Sequence, residues 1–348
     1  RFGTQPMPLH DADPLLDLPP AMPEAWWRAR DAALAAARPE AIEGLRDRAV
    51  AAYLGLALGD ALGATVEFLT PREIAAFHGV HREIVGGGWL NLKPGRVTDD
   101  TEMSLALGRA ICERGGVVSA RAAAEAFSAW MSRKPVDIGH TVRRGISAYR
   151  RSGVPFVADN PQNAGNGAAM RCLPVALVTL GAPWPQVVRA LRLQGHVTHA
   201  CGLADAGQEG VAALVQAALA APPGDRAALD DGLAALAAAE PAFAPGGRRQ
   251  TDPSGFIVDT LRAVFQALAA AEGFEAAVVE VVNRGGDADT TGAILGMIAG
   301  ALHGTAALPK RWLKKLDPLA RAACTEQALA LIALSPALSG SRRLLTAE

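Results

Sequence analysis

From Leu45 onward apolar residues return at three- and four-residue steps, at Val50, Tyr53, Leu54, Leu58 and Leu62, which is the period of a buried helix. The same period predicts helices over Thr101–Arg114 (Met103, Leu107, Ala110, Ile111), Ala120–Met131, Phe256–Ala271 and Phe274–Val282. A connecting helix is expected from Pro71 to about His78, and another stretch opens at Pro135–Thr141. The alanine-rich segment Val211–Ala239 reads as peripheral helix. Strand-like alternation of useful length and solenoid-type repeats are missing. The pattern therefore predicts an all-α fold, with one compact helical domain over 45–348. Before it lies a Pro-rich extension, 1–44, with a short helix over Glu24–Arg38 closed by Pro39.

A second periodicity runs beside the first. Gly55, Gly59 and Gly63 are four apart, and Gly292, Gly296, Gly300 and Gly304 repeat that spacing. A glycine inside a helix costs up to about 1 kcal/mol relative to alanine. Glycines in register on two helices predict that the two backbones approach each other closely in the core.

Composition narrows the function classes. The chain has 348 residues, 50% hydrophobic and 20% charged, enough for a sizeable core. Its formal net charge is −1, which gives no electrostatic basis for nucleic-acid or membrane binding. Cys112, Cys172, Cys201 and Cys324 are widely spaced and read as small buried residues rather than a disulfide framework. The longest apolar run, Gly292–Leu308, falls short of the ~20 residues that span a bilayer. No signal peptide is recognisable, so a cytoplasmic protein without a transmembrane segment is expected.

Two polar stretches interrupt this apolar chain. Asn283–Gly292 reads Asn-Arg-Gly-Gly-Asp-Ala-Asp-Thr-Thr-Gly, and Val97–Glu102 reads Val-Thr-Asp-Asp-Thr-Glu. Both offer hard oxygen donors, which suit Mg²⁺, Ca²⁺ or Mn²⁺ better than zinc. Together they predict a paired-metal hydrolase. Each also precedes a helical pattern, where Asp or Thr serves as an N-cap, so capping stands as the competing explanation. Asp137 has the same two readings. Glu67 lies among apolar neighbours, where a carboxylate must be paired or metal-bound. The glycine-flanked turn Gly165-Asn166-Gly167 suits an anion such as a phosphate. His196 and His199 lack third and fourth zinc ligands nearby and read, with Asp205, as hydrogen-bonding groups.

The runs Gly55–Phe68, Gly86–Ser104 and Val281–Gly292 together resemble the ADP-ribosylglycohydrolase family, in particular its bacterial subgroup that reactivates dinitrogenase reductase. The resemblance covers about Leu45 to Leu316. It implies an all-α fold with two divalent ions, Mn²⁺ or Mg²⁺, at the base of a cleft. By position, Thr98, Asp99, Asp100, Asp287, Asp289 and Thr290 would be metal ligands. Glu67 and Asp137 would be catalytic, and Gly165, Asn166, Gly167, His196 and His199 would line the ADP-ribose site. The activity implied is removal of ADP-ribose from arginine of a target protein, dinitrogenase reductase. A PII-type regulator, with peripheral membrane association through it, is implied by the subgroup. Other linkages (serine-linked, or a toxin's product) and a non-catalytic binding protein are the alternatives. Asn163 stands where the resemblance leads one to expect aspartate.

Overall fold

The computed structural model describes residues 14–35, 39–340 and 346–347. Prolines 6 and 8 of the extension, and the expected last turn of its helix up to Arg38, lie outside the described residues. The helix itself runs Glu24–Ala35. The other described residues form an all-helical body, in which the strands are two residues each, Val118–Ser119 paired in parallel with Thr346–Ala347.

Two helices, Pro39–Gly63 and Ala288–His303, form the axis of the body. They run antiparallel and touch backbone to backbone, as the glycine spacing predicts. A Cβ on Gly55 would lie 2.2 Å from the Gly296 carbonyl oxygen, one on Gly59 2.0 Å from that of Gly292, and one on Gly63 2.2 Å from that of Ala288. Gly300 meets the Ala51 carbonyl oxygen in the same way, at 2.2 Å. Gly304 does not continue the series. It ends the helix with φ +77°, a left-handed turn that glycine adopts without strain.

Around this pair pack Phe274–Val282, Gly202–Ala220, Ile257–Ala270 and Pro318–Leu334. The alanine-rich segment departs from expectation. It forms two helices, Gly202–Ala220 and Ala227–Ala239, and every residue from Ala204 to Leu219 is buried. Small side chains on all faces let neighbours approach from every side, so low amphipathicity here marks burial rather than the periphery.

The segment before the body is tied down by buried polar groups. Glu209 accepts the amide hydrogens of Ala21 and Met22, each at 2.8 Å, and the indole N–H of Trp184 at 3.0 Å. Arg30 reaches Gln216 Oε1 and the carbonyl of Ala182, and Trp26 packs edge-on to Trp184 at 5.3 Å. All four cysteines are free thiols, three of them buried. Among the described residues no helix is long and apolar enough to cross a membrane.

Candidate metal centre and its cleft

Because the central helices are antiparallel, the end of Pro39–Gly63 meets the start of Ala288–His303. Asp60 and Glu67 thereby come beside Asp287, Asp289 and Thr290. The helix Asp99–Glu113 starts at the same place and brings in Thr98, Asp99 and Asp100. One oxygen from each of Glu67, Asp287 and Asp289 lies within 4.8 Å of the others.

Helix capping does not account for these residues. Thr98 and Asp287 occupy the N-cap positions of their helices, yet neither side chain makes a capping hydrogen bond. Thr98 instead donates its hydroxyl proton to Asp60 Oδ1, 2.9 Å away. The same oxygen lies 3.4 Å from Asp100 Oδ2 and 3.5 Å from Asp289 Oδ2, with no second proton to give either of them. Thr290 Oγ1 donates to Asp100 Oδ2 at 3.2 Å, while Asp100 Oδ1 is buried with no partner. Asp137 is not a cap either, since Gly139 takes that position and Asp137 lies on the cleft wall.

Asp60 lies in the Gly55–Phe68 run, and the sequence alone gives it no role. It is fully buried and accepts from both the amide and the hydroxyl of Thr98 and of Thr101, and so fixes the turn that carries Asp99 and Asp100. A signal for it exists: an acid inside a helix whose other residues from Ala51 to Gly63 are buried must have partners.

So many buried acids cannot all ionise without a counter-charge. Burial, and then the charges of Asp287, Asp137 and Asp99, push the Glu67 carboxyl to about 8 against the hydrogen bond from Trp89. Asp99 is likewise raised to about 8, by burial first and then by Asp137 and Asp60. Burial raises Asp60 to about 6, and it holds Asp100, Asp287 and Asp289 above the ordinary aspartate range. Either protons or a cation must occupy the cluster at neutral pH. The hard oxygen set, the orphaned Asp100 oxygen and the spent Thr98 proton fit a divalent cation.

A consequence for stability follows. These acids hold protons in the folded chain at pH values where the unfolded chain has released them. Their contribution to stability is full below about pH 4 and is lost as pH rises through the folded values, up to about 8. The metal-free protein should therefore melt at a lower temperature at pH 8 than at pH 5.5, and added metal should reverse the trend. Melting curves in EDTA that show no such fall would contradict this reading of the cluster.

The cluster opens onto a cleft of about 710 Å³. Glu67, Asp99, Asp137, Asp287, Asp289 and Thr290 line it, together with Gly165, Asn166, Gly167 and His199. Asn166 Nδ2 donates to Asp287 Oδ2 and to Thr260 Oγ1, linking the glycine loop to the acids. The glycines make room for the His199 ring, since a Cβ would lie 3.0 Å from its Nε2 at Gly165 and 2.6 Å from its Cε1 at Gly167. Thr198 Oγ1 accepts from Arg171 and shares a hydrogen bond with His199 Nδ1, at 2.7 Å. The other ring nitrogen, Nε2, faces the loop. Burial, with Arg171 and Arg144 adding to it, lowers His199 to about 3, so the ring stays neutral.

His196 does not reach the cleft: it is fully buried behind the wall, with Nε2 at 2.9 Å from the Asp205 carboxylate. A buried imidazole beside a buried acid satisfies both groups inside the protein and leaves no edge for a ligand. Asn163 is also buried, accepting from Arg144 and donating to the Ala158 carbonyl at 3.3 Å, and it is not among the cleft-lining residues. Thr98 and Asp100 form the layer beneath the cleft floor rather than its surface.

Comparison with known proteins gives a consistent picture. A family model described as ADP-ribosylglycohydrolase matches residues 41–341. The chain is 43% identical over 291 residues to the ADP-ribosyl-[dinitrogen reductase] glycohydrolase of Rhodospirillum rubrum, covering 84% of this chain and 97% of that protein. It is 32% identical over 285 residues to the ADP-ribosylarginine hydrolase Tri1 of Pseudomonas putida (strain GB-1), covering 78% of this chain and 74% of that one. A solved structure titled "ADP-ribosylglycohydrolase-related protein complex" superposes with a TM-score of 0.73 at 33% identity, over 84% of this chain and 99% of that chain. A family match across most of the length, joined to an all-helical body of the same shape, leaves one conclusion: the chain belongs to the ADP-ribosylglycohydrolase family.

Proposed function

We propose that this chain is a metal-dependent hydrolase that removes ADP-ribose from arginine side chains of a modified protein, with dinitrogenase reductase as its target. The observation that carries the reading is the meeting, in one cleft, of the acid cluster with the Gly165–Gly167 loop and the His199 ring. Acids beside a glycine loop and neutral polar groups suit a substrate that carries a reactive sugar carbon and a diphosphate. The name of the Pseudomonas putida relative supports arginine as the linkage, and that of the Rhodospirillum rubrum relative supports dinitrogen reductase as the target.

Thr98, Asp99, Asp100, Asp287, Asp289 and Thr290 would hold two hard divalent ions, Mn²⁺ first and Mg²⁺ as the alternative. When bound, these ions supply Lewis acidity toward the ribose hydroxyls and a water molecule. Glu67, held by the Trp89 indole N–H at 2.6 Å, orients that water or a ribose hydroxyl. Asp137, on the cleft wall, serves as the acid–base group facing the departing guanidine. The water oxygen joins the anomeric carbon, the carbon–nitrogen bond breaks, and the guanidine leaves carrying one of the water's protons. His199 and the glycine loop bind the diphosphate and proximal ribose, holding the sugar in place.

The same reading places the catalytic unit in 45–348 and treats 1–44 as an extension, which the 41–341 family match supports. A PII-type regulator, a cytoplasmic location and peripheral membrane association through that regulator also belong to it, on the strength of the resemblance. The linkage is tested with two Mn²⁺-supplemented reactions, one on an arginine-ADP-ribosylated peptide and one on a serine-ADP-ribosylated peptide. Release of free ADP-ribose from the arginine peptide alone is expected. Release from serine alone would keep the cleft chemistry and overturn the substrate, and tight binding without release from either would make the chain a binding protein.

A further inference from the structure

The cleft rim carries apolar surface that folding does not explain. Phe68, directly after Glu67, is 61% exposed and has φ +63°. A left-handed backbone is unfavourable for a bulky residue by about 1 kcal/mol or more. The exposed ring gains little from burial to offset this. It lies 5.4 Å from the ring of Trp89, itself 56% exposed. The Trp89 indole is fixed by its hydrogen bond to Glu67. Val136, 41% exposed, directly precedes Asp137. The two carboxylates at the reacting end thus each carry an apolar neighbour turned to solvent.

We infer that Phe68, Trp89 and Val136 form a platform for the modified protein itself, receiving apolar side chains that flank the ADP-ribosylated arginine. This rests on the cleft being an ADP-ribosylarginine site, as proposed above. A cleft of about 710 Å³ holds a nucleotide-sized group and leaves the protein outside. The bond to be cut must lie against the acid cluster, so the chain bearing the arginine crosses the rim beside Glu67 and Asp137. Phe68 and Trp89 line the cleft there, and Val136 is the chain neighbour of Asp137. Aromatic groups fixed in place before binding lose little entropy on contact, which suits them to anchor a partner. The left-handed turn at Phe68 keeps the ring on the rim instead of letting it fold inward.

Phe68→Asn and Val136→Ser test this, because asparagine tolerates the left-handed backbone and neither change touches the acids. Phe68→Asn should melt no lower than the parent chain. Two substrates are compared: ADP-ribosylated dinitrogenase reductase and free ADP-ribosylarginine. The expected result is a fall in kcat/KM of about tenfold or more on the protein, mainly through KM, with the small substrate unchanged within about twofold. Equal falls on both would overturn the inference and place the aromatic pair against ADP-ribose. No fall on either would remove the docking role. A parent chain inactive on both substrates would instead overturn the functional reading, and this inference with it.

Discussion

Replacing Asp289 with asparagine is expected to lower kcat/KM by about a thousandfold or more, equivalent to ~4 kcal/mol of transition-state stabilisation, yet leave a folded and more heat-stable metal-free protein. Asparagine keeps the shape and the bond from the Thr290 amide to Oδ1, at 2.8 Å. It removes one charge from a buried site where Glu67, Asp100, Asp287 and Asp60 all disfavour it. In EDTA at pH 8 the variant should therefore melt above the parent chain. With Mn²⁺ present the order should reverse, because the parent gains stability by binding the ion and the variant does so weakly. Activity lost with the metal-induced rise in melting temperature intact would show that Asp289 does not hold metal. Such a trade between function and stability is what a site of crowded like charges produces.

Gly59→Ala should destabilise the molecule severely. Its Cβ would lie 2.0 Å from the Gly292 carbonyl oxygen and 2.3 Å from the attached carbon, both backbone atoms of a buried helix. No rotamer change relieves that, so the two central helices must separate along their length. The expected cost is about 3 kcal/mol or more, read as a fall in melting temperature of about 6 °C or more. Gly44→Ala, in the same helix, meets nothing within 4 Å and should be neutral or stabilising by up to about 1 kcal/mol. The damage should reach the site as well, because Asp60 and Asp289 sit on the two helices that would part. Equal behaviour of the two variants would refute the close approach.

The parts of the molecule legible in the sequence are those that rest on local periodicity. Most of the helix positions, the close approach of Gly55 and Gly59 to Gly296 and Gly292, and the two acidic clusters follow from residue spacing. What spacing could not decide was direction. An Asp or Thr before a helix reads alike whether it caps the helix or turns away, and only the fold shows Thr98 spending its proton on Asp60. His196 and His199, three residues apart, diverge because the helix Trp184–Gly195 ends between the wall and the cleft. Gly202–Ala220 does not read as core because alanine carries almost no amphipathic signal. The role of Asp60 is not legible because its partners, Thr98 and Thr101, are about forty residues away in sequence and meet it only after folding.

The most direct measurement is release of ADP-ribose from arginine-ADP-ribosylated dinitrogenase reductase, followed together with return of reductase activity, in Mn²⁺ and then in EDTA. Release and reactivation in Mn²⁺, both abolished by EDTA and restored by added metal, are expected. Undiminished release in EDTA would contradict a metal-holding acid cluster, and no release in Mn²⁺ would contradict the hydrolase.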